Sequence, residues 1–202
     1  MRRVRCYCLA MGMPLYLGIG ASVLQLVGFG VYNRQIFLGT SVPNTAAWTL
    51  WAFLTILGAS SYFVITGDFA KSILFFATAA ANVGTFGYSL LTGKFHRMDS
   101  WDYIALVFGL VAGLVWWWYQ SAADANIIVT FAVAIAFCPL YRVVWTDPSQ
   151  EKPLPWFMWA TGYALVTLVV VLRWNNNYLD LVYPVSMCML HFVVGLLCQR
   201  VK

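Results

Sequence analysis

Long apolar runs separated by short polar breaks organise this chain. The runs lie at about 14–36, 46–65, 69–91, 101–119, 127–144, 156–172 and 178–197. A helix that crosses a bilayer needs about 20 mainly apolar residues. Lipid offers the backbone no hydrogen-bond partner, so a spanning segment is a helix or part of a closed barrel. The runs do not alternate with period two, which excludes a barrel. Each is therefore predicted as a membrane helix. The breaks carry turn chemistry: Gly39 to Asn44, with Asn44 or Thr45 as a helix cap, then Thr66-Gly67-Asp68, Gln120 to Asn126, and Arg173 to Asn177. Thr92 to Ser100 and Trp145 to Pro155 are more polar connections. The connections leave no room for a soluble domain, so function is expected between the helices or at the two membrane faces.

The pattern contains a duplication. Under a shift of 108 positions Phe29 falls on Phe137, Arg34 on Arg142, Trp48 on Trp156, Trp51 on Trp159, Ala52 on Ala160 and Leu57 on Leu165. Runs one to three form one copy, runs five to seven the other, and run four joins them. The expected organisation is an N-terminal tail (1–12), a first three-helix repeat (13–93), a linker with the fourth helix (94–121) and a second three-helix repeat (122–202). Three helices plus one linker helix is an even number of crossings, so the copies run parallel about an axis along the membrane normal, an architecture used by transporters. The matched Trp residues have a plainer reading as interfacial belt anchors, and so does Trp116-Trp117-Trp118.

Composition agrees: the chain is 62% hydrophobic and 9% charged, with a mean hydropathy of +0.76. The net charge of +5 comes from basic residues scattered singly at helix ends, where they anchor in headgroups. No nucleic-acid surface is expected. Lys and Arg counts on alternate faces lean towards a cytoplasmic C-terminus, whereas Arg2, Arg3 and Arg5 argue the opposite. Cys6, Cys8, Cys138, Cys188 and Cys198 are dispersed, and Cys6 and Cys8 lack a nearby His, so no metal site is read.

The three-one-three order, with Pro139-Leu140-Tyr141-Arg142, a polar turn and Pro155 opening the next helix, resembles the SWEET and PQ-loop family of small-solute transporters. The family's Pro-Gln dipeptide is replaced by Pro43-Asn44 and by Pro153-Leu154-Pro155. The resemblance implies an all-α membrane fold of seven helices in two parallel three-helix bundles. It also implies a central site lined by an asparagine from the third helix of each copy. Asn82 stands there in the first copy, and His191 offers itself in the second. Polar residues inside membrane helices are functional candidates, although each also serves as interhelical glue. Gln25, Thr55 and Tyr163 are further candidates to line the solute path, with Ser60, Tyr62, Thr161 and Thr167 beside them. Pro139 and Pro184 interrupt helix hydrogen bonds and are candidate hinges.

No Asp, Glu, Lys or Arg falls in the middle of a run, so a carboxylate proton relay is not expected. His191 is the one mid-depth group read as able to carry a proton. The last run holds no lysine for a retinal Schiff base, and no enzyme constellation appears. The expectation is a facilitator, not an enzyme, in the plasma or cell inner membrane. It would move a small neutral polar solute such as a sugar by alternating access, without a cofactor. Asn and neutral His offer donors and acceptors to hydroxyls. The alternative is a non-transporting scaffold or accessory subunit. Beyond lipid and solute, the partner left open is a second copy of the chain or a larger membrane complex.

Overall fold

The structure, a computed structural model, describes the backbone of residues 2–41, 43, 45–92, 100–119 and 121–200. It describes side chains from Gly12 onward, except those of 45, 46, 92, 101, 102, 105 and 119 among these. The side chains of the basic tail, Cys6 and Cys8 among them, and those of Thr45 and Asp102 lie outside that description, as do Asn44, residues 93–99 and Lys202 altogether; the backbone of the expected tail is helical from Arg2, continuous with the first run.

Among the described residues the chain forms seven α-helices: α1 (Arg2–Phe37), α2 (Thr45–Thr66), α3 (Phe69–Thr92), α4 (Ser100–Tyr119), α5 (Ala122–Thr146), α6 (Pro153–Leu172) and α7 (Leu179–Cys198). A 3-10 turn at Pro148–Gln150 links α5 to α6. Six helices are long and apolar enough to cross a membrane. In α4 the apolar stretch, Leu106–Trp118, is shorter, so seven crossings are met only in part. Large apolar side chains face outward, including Val23, Leu26 and Val27 on α1 and Val107, Leu110 and Leu114 on α4. Such a surface suits lipid and not water. The chain is an all-helical, multi-pass membrane protein.

Local chemistry sets the helix ends. The turn between α2 and α3 forms where expected. Gly67 sits at φ +57°, a conformation open to glycine without steric cost. Asp68 then caps α3 by accepting from the Ala70 N–H at 2.9 Å. The expected turn at Gln120 to Asn126 is mostly helix, because α5 starts at Ala122. The Ser121 hydroxyl accepts from the Asp124 N–H at 3.3 Å, and Asp124 lies in the first turn, where a carboxylate complements the helix dipole. Asn126 is buried inside α5, where its amide donates to the Gly58 carbonyl at 3.3 Å and the Ser61 hydroxyl at 3.1 Å. α6 likewise begins at Pro153 instead of 156, since proline is tolerated in a first helical turn.

α3 packs against both α1 and α2, and α7 against both α5 and α6. The two trios meet where α1 lies on α6 and α2 on α5, while α4 flanks α5. Polar ties fasten both ends of this interface. At one end, Arg173 Nε donates to Asp68 Oδ2, and Lys71 Nζ pairs with Asp180 Oδ2 at 2.6 Å. At the other, the Tyr32 hydroxyl donates to Glu151 Oε1 at 2.9 Å. Lys71, read from the sequence as a headgroup cation, is in fact 1% exposed.

Candidate functional site

The matched Trp residues place the site. Trp48 and Trp51 are three apart on α2, and Trp156 and Trp159 three apart on α6, so each pair shares a helix face. Both faces turn inward. The four indoles are at most 7% exposed, which overturns the belt-anchor reading. Each indole finds other rings at the helix interface, and the Tyr32–Glu151 bond holds α1 to the connection before α6. Indeed, Tyr32 rests on Trp48 at 5.1 Å and on Trp159 at 5.5 Å.

The ring contacts come in pairs related by the 108-residue shift. Phe29 meets Trp159 at 4.9 Å, and Phe137 meets Trp51 at 5.0 Å. Phe29 meets Trp48 at 6.0 Å, and Phe137 meets Trp156 at 6.3 Å. Trp48–Trp159 and Trp51–Trp156 both stand at 6.4 Å. Most are edge-to-face, the arrangement that aromatic quadrupoles favour. Gly28 gives one of these rings its place: a Cβ there would come within 2.7 Å of Trp159 Nε1.

These rings wall a cavity that also receives Thr55, Thr78, Val133, Tyr163, Met187, Asn82 and His191. About 30 Å³ of it admits the centre of a water molecule, room for about one or two waters. Among the described residues no charged side chain lines it. Asn82 Nδ2 donates to Thr55 Oγ1 at 3.2 Å, and that hydroxyl in turn donates to the Trp51 carbonyl at 2.5 Å. His191 Nδ1 lies 2.7 Å from the Met187 carbonyl. A carbonyl only accepts, so Nδ1 carries a proton, and Nε2 of the neutral ring is left as an acceptor. The indole N–H of Trp51 and the hydroxyl of Thr78 make no hydrogen bond. The wall thus offers donors and acceptors inside an aromatic frame.

Four of the five predicted lining residues, Asn82, His191, Thr55 and Tyr163, meet at this cavity. Gln25 does not line it. Gln25 is buried between α1 and α6, against Gly162, where both amide atoms lack a partner. Pro139 and Pro184 are buried within continuous helices. Pro184 has no N–H for the Asp180 carbonyl four residues earlier, and the Tyr62 hydroxyl of α2 donates to that carbonyl instead, at 2.7 Å. Ser60, Thr161 and Thr167 bond their own helix carbonyls at 2.8–2.9 Å.

Sequence reasoning missed the inward role of the four indoles, although their repeated three-residue spacing carried the signal. It also left Glu151 undistinguished within the polar connection Trp145 to Pro155, yet Glu151 is 3% exposed. Burial pushes its carboxyl up to about 8, against the downward pull of the Tyr32 hydroxyl, the Trp156 indole and the Ser41 hydroxyl. Compared with known protein families, curated proteins and solved structures, the chain matches none.

Proposed function

We propose that this chain is a membrane transporter, similar in plan to the SWEET and PQ-loop proteins. In this reading two parallel three-helix repeats enclose a small, uncharged polar solute. The observation that carries it is the cavity between the trios, where Asn82, Thr55 and His191 stand among aromatic rings. Cavities of this kind, mostly apolar with a few convergent polar groups, are ordinary small-molecule sites. The ring contacts that recur 108 positions apart support the repeat. The small free volume corresponds to a closed state, and the trios would rock apart about the cavity to admit solute from either face. The described lining residues carry no charge, which favours a neutral cargo.

The test is uptake of a panel of radiolabelled neutral solutes into proteoliposomes, with and without a pH gradient. Saturable uptake of one solute is expected, and Asn82→Ala is expected to abolish it with an unchanged melting temperature. Normal uptake by that variant removes Asn82 from the site. Close packing of the rings also suits a scaffold, in which exposed Trp117 and Trp118 would be contact surface. Absence of uptake across the panel favours that reading.

A further inference from the structure

The Tyr32–Glu151 pair departs from the repeat in both partners. The 108-residue shift puts Leu140 opposite Tyr32 and Pro43 opposite Glu151, so this contact between the halves occurs once and has no symmetric counterpart. Glu151 Oε1 accepts from Tyr32, while Oε2 is buried without a well-formed hydrogen bond, the Trp156 indole and the Ser41 hydroxyl being the donors near the carboxyl. No cation pairs with it among the described residues. An ionised carboxylate so placed is strongly disfavoured.

The surroundings connect this acid in two directions. Inward, it bonds Tyr32, which stacks on Trp48 and Trp159, and it lies beside Trp156. All three indoles wall the cavity. Outward, Glu151 forms part of a surface cleft of about 380 Å³, shared with Asp147, Lys152, Cys198 and Arg200. The groups facing it are therefore Tyr32 from α1, Ser41 from the following turn, Trp156 from α6, Cys198 from α7, Asp147 and Lys152 from its own connection, and Arg200 beyond α7. The guanidinium of Arg200 is occupied over the Trp145 ring at 4.0 Å.

We propose that Glu151 is a proton-binding site that controls this end of the transport path: protonated, it holds the end closed; ionised, it draws water in and lets the end part. The proton enters from the aqueous cleft to the carboxylate, and leaves the same way. The consequence for uptake, coupling to protons, rests on the transport reading, while the gate can be tested without a solute.

The sign follows from linkage. Burial raises the Glu151 pKa in the closed form to about 8, whereas a solvated Glu titrates near 4.3. Between those values the closed form holds more protons. Its advantage over an opened form is full below about 4.3 and falls by up to about tenfold per pH unit as pH rises towards 8.

The experiment uses the full chain in nanodiscs, with its cysteines replaced and spin labels at Leu38 and Leu154, both exposed. The label-to-label distance is read by pulsed electron resonance from pH 5 to 9. A single short distance at pH 5 and a growing longer population towards pH 9 are expected. Glu151→Gln, a neutral mimic of the protonated acid, should keep the short distance throughout. An unchanged distance across the pH range, or a Glu151→Gln variant that still responds, overturns the proposal. Because no solute is added, failure of the gate and failure of uptake are separate results.

Discussion

Asp180 shows how much one side chain can organise. Its Oδ2 takes the Lys71 ammonium at 2.6 Å, its Oδ1 the Asn177 amide at 2.9 Å, and its carbonyl the Tyr62 hydroxyl at 2.7 Å. Three elements other than its own helix thus converge on one residue in the first turn of α7. Removing one partner of a buried pair leaves an uncompensated charge, so Lys71→Met and Asp180→Asn should each cost about 3–5 kcal/mol. The double variant should cost much less than the sum. Thermal unfolding in one detergent measures the cycle, and additive losses would mean that the two groups do not depend on each other. The Arg173–Asp68 pair has a more exposed cation, and such pairs contribute about 0–1 kcal/mol. The sequence placed both Lys71 and Asp180 at helix ends, correctly. Their pairing was not legible, because the residues are 109 positions apart and meet only when the trios assemble.

At the scale of the element, proline chemistry is answered from outside the helix. A freed carbonyl in an apolar interior needs a donor, and α2 supplies Tyr62 to α7. Tyr62→Phe should therefore cost about 1–3 kcal/mol, the penalty of an orphaned buried acceptor. In a Pro184→Ala background, residue 184 regains an N–H and the cost of Tyr62→Phe should shrink. A comparison of the four melting temperatures decides it, and an equal cost in both backgrounds removes Tyr62 from this role. Helix identity and most boundaries were legible from apolar run length. The start of α5 was not, because Asp124 and Asn126 read as turn residues. In the folded chain one is a helix-start carboxylate and the other a buried cross-helix donor. The same residue types serve both purposes, and only the partners on α2 decide between them.

At the scale of the molecule, the resemblance to the SWEET and PQ-loop plan, and not the duplication, pointed to the pair of residues that gather. Asn82 and His191 come from runs 109 positions apart yet line one cavity. The depth of the indoles was not foretold, since a Trp near a helix start has the same one-dimensional signature at a headgroup or inside a bundle. Gln25 was drawn aside by packing against Gly162, a contact between α1 and α6 that no local pattern encodes. The four central indoles have a consequence of another kind. Successive ring centres stand 4.9–6.4 Å apart, close enough for their electronic transitions to couple. The folded protein should therefore carry an exciton couplet in its circular dichroism. The share of that signal from the four indoles should fall sharply in Trp51→Phe with Trp159→Phe and whenever the helices separate. The four indoles thus give a label-free optical report on how closely the two trios pack.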